Sequence, residues 1–398
     1  MVKDSHPSSN RMTDQSEAVD SLIQDMLHGL RLALNMKVSF ISEFAQKKRM
    51  FRYVDADEDF RPIDVGDGDP LGESYCSRIV DGELPELMRD ARLNPIALTI
   101  PATTSLPVVA HLSVPIRFSQ GEVYGTLCCF SNQIVDTLAD KDLAILRLFS
   151  DFVGKILEPR VHLARERQNL RQRIQSVIDD ARFTIHYQPI FRIQDHELVG
   201  HEALTRFMAE PVRSPDQWFD EAIDIGLNVQ LELAVIRRIL ADLHRFPSGT
   251  YVSINISPET ILRGDIQNHF VGVPHHRIVL EVTEHASVGD YDMISRMLEP
   301  LRSLGVRVAV DDAGSGYASF RHILRLKPDI IKLDASLIHQ IDKDPGSRAL
   351  AAAIVRFAEQ TDCIVVAEGV ETKSELAVLL ALDLNKAQGY LLGRPQPL

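Results

Sequence analysis

Cysteine, tryptophan and long apolar runs are what this 398-residue chain has least of, and each shortage excludes something. Its four cysteines, Cys76, Cys128, Cys129 and Cys363, contain no CxxC pair and join no Cys/His cluster of zinc spacing. Neither a disulfide framework nor a structural zinc site is indicated, and a reducing, cytoplasmic setting fits best. No stretch approaches the ~18 consecutive apolar residues of a spanning helix, and Met1–Asn10 has no apolar signal-peptide core, so a soluble chain without a membrane partner is expected. Basic residues are also in deficit: 43 Lys and Arg face 56 Asp and Glu, a formal net charge of −13. Long duplex nucleic acid, whose binding draws on phosphate neutralisation by Lys and Arg, is disfavoured. A small phosphorylated ligand stays open if metal ions bring the positive charge.

What is present suffices for two domains, at roughly 100 to 200 residues each. Residues 1–18 are polar, with Pro7 among Ser and Asn, and read as a disordered leader. Residues 19–158 mix helical and strand patterns. Their clearest element is a hairpin: His111 to Phe118, turn chemistry at Ser119-Gln120-Gly121-Glu122, then Val123 to Phe130. Thr137 to Asp140 looks like a capping box ahead of Leu143, Leu146, Phe149, Val153 and Ile156 at helical spacing. Pro159 is expected to kink or break that helix. In the connector, residues 159–178, a narrow stripe of Leu163, Leu170, Ile174 and Val177 either pairs with its copy in a homodimer or packs as an ordinary helix on a domain.

In residues 179–398 a repeat decides the fold. Short runs rich in β-branched residues end in an acid, amide or lysine: Leu198–Gly200 before Glu202, Tyr251–Ile254 before Asn255, Ile278–Leu280 before Glu281, Val306–Val310 before Asp311 and Asp312. The series goes on with Asp329–Ile331 before Lys332 and Ile364–Ala367 before Glu368. The ends from Asn255 onward fall 21 to 36 residues apart, about one βα unit, with helical stretches such as Met293–Leu304 and Arg348–Gln360 between them. The pattern predicts an α/β fold, a (β/α)8 TIM-like barrel, in which residues ending the strands converge on one mouth. Any one of these acids could be a loop residue or a helix cap; six such ends in succession point to a site.

Oxygen donors without clustered His or Cys suit hard cations such as Mg2+ or Mn2+. Metal ions also explain how several carboxylates can share one cleft, since alone they repel. Two ions together activate water and stabilise charge on phosphoryl oxygens, a route to phosphodiester cleavage. Lys332 either orients that water or forms a salt bridge with Asp334 or Asp312.

These residues carry a resemblance. Glu202-Ala203-Leu204 with Arg206, Tyr187-Gln188-Pro189-Ile190, Ser253-Ile254-Asn255-Ile256-Ser257, Glu281-Val282-Thr283-Glu284, Asp311-Asp312-Ala313-Gly314-Ser315-Gly316-Tyr317, Ile331-Lys332-Leu333-Asp334, Ala367-Glu368-Gly369-Val370-Glu371-Thr372 and Gln388-Gly389-Tyr390 occur in order. Together, over about residues 175 to 398, they resemble the EAL family of cyclic di-GMP phosphodiesterases. The resemblance implies hydrolysis of cyclic di-GMP to linear pGpG with two ions, Mg2+ or Mn2+. It implies that Glu202, Asn255, Glu281 and Asp311 hold one ion, that Asp311 bridges to the second, and that Asp312 and Glu368 lie around it. Lys332 would contact the nucleophilic water, Gln188, Arg206 and Gln388 would seat the dinucleotide, and Glu284 would anchor the loop after the paired aspartates. In that loop Ala313 and Ser315 stand where the family usually has Phe and Thr, and the stretch from Arg206 to Trp218 is shorter than usual.

The N-terminal part resembles a GAF sensor domain, an α+β fold with an antiparallel sheet, through Glu73–Cys76, Leu112–Ile116 and Tyr124–Phe130. That resemblance names no ligand or signal. Cys76, Cys128 and Cys129 either sense redox state or are small buried residues. Beside an active, regulated phosphodiesterase, two other functions remain open: a receptor that binds cyclic di-GMP without cutting it, and a scaffold.

Overall fold

Alternating apolar side chains along a few short segments build the first of two sheets. A computed structural model describes the backbone of residues 7–263, 265–282, 291–313 and 323–398, with side chains from residue 17 onward, and the chain falls into two units, Met1–Glu166 and Arg167–Leu398. In the first, strands β1 (Val38–Ala45), β2 (Lys48–Ala56), β3 (Gly68–Pro70), β4 (Leu87–Met88), β5 (Ala110–Arg117) and β6 (Val123–Ser131) form an antiparallel sheet in the order β3-β2-β1-β6-β5-β4. The expected hairpin is β5 and β6, closed by Phe118 N–H donating to Glu122 O at 2.9 Å. Because strand side chains alternate, neighbouring Cys128 and Cys129 enter different cores. Cys129 joins Leu112, Leu127 and the helices on one face, while Cys128 joins Phe40, Phe51, Tyr75 and Phe130 on the other.

Two helices depart from expectation. The helix Pro7–Ala33 begins inside the segment expected to be a disordered leader. The stripe Ile23, Leu27, Leu30 and Leu34 at helical spacing, all buried, gives it a core to pack on. The helix Asp140–Asp179 runs unbroken through Pro159. The proline removes one backbone donor, but buried Leu157 and partly buried Val161 on either side pack on the first unit's core and hold the helix together. Its start is set by Asp142, whose carboxylate accepts from Ala139 N–H at 2.8 Å, not by Thr137. Leu170, Ile174 and Val177 from the connector stripe pack within the second unit's core. No helix among the described residues is long and apolar enough to cross a membrane.

The second unit is the barrel. Strands β7 (Phe183–Arg192), β8 (Glu197–Phe207), β9 (Tyr251–Ile256), β10 (Ile278–Val282), β11 (Arg307–Ala313), β12 (Ile330–Leu333), β13 (Ile364–Ala367) and β14 (Lys386–Ala387) close into a ring, and β15 (Gln396–Pro397) adds to β7. From β8 to β14 each pair is parallel, with helices such as Tyr291–Ser303 and Pro345–Gln360 between strands. Strand β7 differs from a plain eight-fold repeat: it runs antiparallel to both β8 and β14, because only the four residues 193–196 join it to β8. So short a connection makes a hairpin and cannot make a crossover.

Period two then sorts every strand. Val252, Ile254, Leu280, Val308, Val310, Ile331, Leu333 and Val365 pack outward in the large core. The opposite parity, Tyr251, Val279, Ala309, Ile330 and Val366, forms a separate apolar cluster with Ile190 and Val199 inside the ring. One inward step further along the same strands lie Ser253, Glu281, Asp311, Lys332 and Glu368, so an apolar floor underlies a polar layer.

Gly389, beside this layer, tolerates no side chain, since a Cβ there would sit 2.2 Å from the backbone N and O of Val370. Gly389→Ala should cost about 1 to 3 kcal/mol in urea unfolding, the range of core overpacking. Gly249→Ala, with nothing within 4 Å, should be near neutral and serves as control. Equal midpoints for the two variants would refute the close packing of β14 on the segment after β13.

Candidate active site

The polar layer gathers around one ammonium. Lys332 Nζ lies 2.5 Å from Glu368 Oε1, 2.9 Å from Glu281 Oε2, 3.3 Å from Asp311 Oδ1 and 3.4 Å from Glu202 Oε1. The four acids come from the C-terminal ends of β10, β11 and β13 and from β8, brought together by the parallel register that sets Glu281 beside Asn255 and Ala309. Lys332 itself is 1 % exposed. The alternative salt bridge is not formed with Asp334, which instead accepts from Ser336 N–H at 3.0 Å and caps a short helix.

Amide and hydroxyl groups fix the carboxylates. Gln388 Nε2 donates to Glu202 Oε2 at 2.5 Å and to Glu368 Oε1 at 3.0 Å, while its Oε1 is buried without a partner among the described residues. Asn255 Nδ2 donates to Glu202 Oε1 at 3.5 Å, and Ser253 Oγ donates to Glu281 Oε1. Ser253 was not singled out from the sequence, although its place two residues before Asn255 on the inward parity of β9 is the signal that finds it.

Asp311 and Asp312 are consecutive on one strand, so regular alternation would point them to opposite faces. A bulge resolves this. Val310 pairs with Ile331 and Ala313 with Leu333, so the two aspartates together oppose Lys332 alone. Asp312 has the left-handed φ of +55°, and Asp311 Oδ1 accepts from its N–H at 3.0 Å. The result is two carboxylate triads, Glu202–Glu281–Asp311 and Asp311–Asp312–Glu368, each with ligand oxygens within 4.8 Å of one another and with Asp311 common to both.

Crowding and burial distort ionisation. Burial, opposed by Lys332 and assisted by Glu202 and Asp311, pushes Glu281 up to about 8. Burial with the charges of Asp311, Glu202 and Glu281 raises Glu368 well above the ordinary carboxylate range despite Lys332. For Lys332 burial works against the charge, and the surrounding carboxylates outweigh it, so the ammonium is held protonated. Fully ionised, the five carboxylates would exceed the one ammonium by four charges, the charge that two divalent cations carry; without cations, the raised Glu281 and Glu368 relieve part of that excess by holding protons. Donor type and spacing both fit hard cations.

Not every expected residue joins the cluster. Gln188 lies opposite Glu202 in the β7–β8 register but turns Nε2 to Gly393 O at 3.1 Å. Arg206 Nη1 donates to the neighbouring Thr205 O at 2.8 Å. Glu284, the expected loop anchor, and Ser315 lie outside the described residues.

Known proteins share this arrangement of sequence and fold. A family model for the EAL domain matches residues 168–395, and one for the GAF domain matches residues 19–157. The chain is similar to an uncharacterized signaling protein of Caulobacter vibrioides, 34 % identical over 242 residues, which are 58 % of this chain and 30 % of that protein. It is also similar to the Cyclic di-GMP phosphodiesterase NbdA of Pseudomonas aeruginosa, 32 % identical over 247 residues, 59 % of this chain and 32 % of that protein. The chain thus spans about a third of the length of these curated relatives. The solved structure of the PaMucR phosphodiesterase in complex with c-di-GMP superposes with a TM-score of 0.52 at 28 % identity, covering 57 % of this chain and 98 % of that one.

The charge balance has a direct test. With a chelator present, Lys332→Met should lower the unfolding free energy by about 3 to 5 kcal/mol, as when one partner of a buried ion pair is removed. Millimolar Mn2+ or Mg2+ should restore much of the loss, because cations replace the missing charge. Urea midpoints that do not differ between variant and parent in chelator would dismiss Lys332 as the electrostatic centre.

Proposed function

Because this chain belongs to the EAL domain family, we propose that its barrel hydrolyses cyclic di-GMP to linear pGpG with two divalent cations, Mg2+ or Mn2+, under control of the GAF domain by a signal still to be identified. The observation that carries this reading is the sharing of Asp311 between two carboxylate triads. Glu202, Asn255, Glu281 and Asp311 would hold one cation, and Asp311, Asp312 and Glu368 the other. When bound, such a pair supplies a water of lowered pKa and positive charge at the phosphoryl oxygens.

The chain's own residues do the rest. Lys332, fixed by four carboxylates on an apolar floor, would hold the attacking water with its ammonium. Water oxygen bonds to phosphorus and gives up a proton, one P–O bond to ribose breaks, and the leaving oxygen takes up a proton, giving pGpG. Gln388, whose Oε1 has no protein partner among the described residues, together with Gln188 and Arg206, would orient the dinucleotide. The short hydrogen bonds that Gln388 and Ser253 make to Glu202 and Glu281 keep those oxygens converged, which limits the reorganisation needed when cation and substrate arrive.

A second copy of the chain is the partner proposed for the helix Asp140–Asp179. Of the stripe expected to pair with a copy, Leu170, Ile174 and Val177 pack instead in the second unit, while Leu163 and, earlier in the helix, Ile145, Leu148 and Phe152 stay 42 %, 43 %, 70 % and 48 % exposed among the described residues.

Incubation of the purified chain with cyclic di-GMP and Mg2+ or Mn2+ should yield pGpG, and chelation should stop it. Ca2+ should inhibit, since its looser coordination positions water poorly. Glu202→Ala and Lys332→Ala should each lose about a hundredfold or more in rate while keeping the fold. Tight binding without product would replace the enzyme by a receptor; neither binding nor product would leave a scaffold. Separately, sedimentation at micromolar concentration should show a dimer that Leu148→Asp converts to monomer, and a monomeric parent chain would remove the pairing.

A further inference from the structure

The GAF domain buries a cation beside sulfur that the proposed hydrolysis does not use. Arg49, 3 % exposed, lies against the edge-to-face pair of Phe40 and Phe51, with its guanidinium carbon 5.7 and 4.8 Å from their centroids. Its Nε donates to Asp69 Oδ1 at 2.9 Å, its Nη2 pairs with the other oxygen, and its Nη1 points the opposite way and donates to Cys76 Sγ at 3.1 Å. Cys76, in the helix Tyr75–Val80, faces β6, where Cys128 Sγ is 3.4 Å away. Cys128 also touches Ser113 Oγ at 2.9 Å and Thr126 Oγ1 at 3.1 Å. Both sulfurs are fully buried.

Two small apolar residues filling a core would not need a guanidinium between them and an aspartate. Here the cation touches one sulfur, and that sulfur touches a second. Burial alone would raise the Cys76 thiol, yet hydrogen bonding from Cys128 and the charge of Arg49 bring it down to about 5, while burial and the neighbouring sulfur push Cys128 well up. One sulfur is thus a nucleophile and the other its protonated neighbour. The adjacent Cys129 is the internal contrast: it faces the other core with no cation near, and burial pushes it up to about 12.

We propose that Cys76 and Cys128 are a peroxide-oxidised dithiol, in which Cys76 takes the oxidant and Cys128 resolves the product to an intramolecular disulfide. The Cys76 sulfur pair attacks one oxygen of a hydroperoxide, the O–O bond breaks, and the departing oxygen leaves as water or alcohol after taking a proton. Cys76 is then a sulfenic acid. The Cys128 sulfur attacks it, the S–O bond breaks, and the hydroxyl leaves as water with the proton Cys128 gives up. Two thiols and one hydroperoxide become one disulfide with two electrons transferred. Closing the pair from 3.4 Å to the ~2.05 Å of a disulfide needs only about 1.4 Å of approach.

Burial selects the oxidant. Arg49 also lines a narrow hollow with Phe40, Phe51, Tyr75, His111 and Phe130, and among the described residues His111 Nδ1 has no partner there. That hollow ends at Arg49, which bonds Cys76, and has room for a water-sized, polar peroxide but none for a tripeptide disulfide.

The test is non-reducing peptide mapping of the full chain after hydrogen peroxide, with oxidised glutathione in parallel. Peroxide should link the peptides carrying Cys76 and Cys128 with loss of two hydrogens, reversibly by dithiothreitol, while glutathione disulfide should not. Cys128→Ser should instead accumulate sulfenic and sulfinic acid at Cys76, and Cys76→Ser should leave Cys128 unmodified. Because either variant could fold poorly, the parent chain provides a second readout: ultraviolet thiolate absorbance should persist at neutral pH and fade only near pH 5. Recovery of both thiols free at peroxide levels that oxidise the partly exposed Cys363, or absence of thiolate absorbance at neutral pH, would overturn the assignment.

Discussion

A surplus of negative charge around Lys332 is the constraint from which the rest of the barrel follows. Four carboxylates converge on one buried ammonium, with Asp312 alongside, and their crowding and burial raise Glu281 and Glu368 above the ordinary carboxylate range. Burying unbalanced charge costs several kcal/mol per ion even after relaxation, so such a layer persists only if something else supplies the folding energy. That source lies two residues earlier on the same strands. Val279, Ala309, Ile330 and Val366 form an apolar floor that fixes strand register and therefore fixes where the acids must emerge. The floor is also why the acids cannot retreat: the only free direction is the mouth. The oxygens so gathered form a preassembled donor set of the kind that hard cations take.

The bulge in β11 shows how locally that gathering is arranged. A regular strand offers one inward side chain in every two, and a two-ion centre needs a shared acid with another beside it. Inserting one residue opposite Lys332 lets Asp311 and Asp312 serve the same centre. The cost is a non-glycine residue at φ +55°, roughly 1 to 2 kcal/mol for a residue type that tolerates this region better than most. Aspartate is favoured there on both counts, as ligand and as a side chain able to adopt the turn.

Much of this was legible in the sequence because apolar runs ending in Glu281, Asp311, Lys332 and Glu368 mark the strand ends at the spacing of one βα unit, so the barrel and its mouth could be read together. What the sequence hid is what depends on pairing in space. The reversal of β7 follows from a connection of four residues, visible as a hairpin, but its antiparallel bond to β14 closes the ring nearly two hundred residues later. The bulge is a property of two strands at once. Pro159 read as a helix breaker because its lost hydrogen bond is local, whereas the packing of Leu157 and Val161 that outweighs it is tertiary. The contact between Cys76 and Cys128 joins a helix to a strand 52 residues away, and spacing alone gives no hint of it.

The surroundings of Lys332 and Arg49 explain why one is lysine and the other arginine. At the barrel mouth four oxygens approach from four strands, at 2.5 to 3.4 Å and from different directions. A compact ammonium with three rotatable donors satisfies that geometry, and a planar fork would reach two of the four and clash with the rest. Around Arg49 the partners are Asp69 on one edge and Cys76 on the other, with the aromatic rings of Phe40 and Phe51 against the guanidinium. A flat, delocalised cation can rest against those rings while bonding along both edges. The charge balance differs as well: a single carboxylate, Asp69, faces Arg49, whose other edge is turned to sulfur, whereas four carboxylates share Lys332. The second site therefore gathers more oxygen donors than its own cation can balance, the donor set that suits divalent cations.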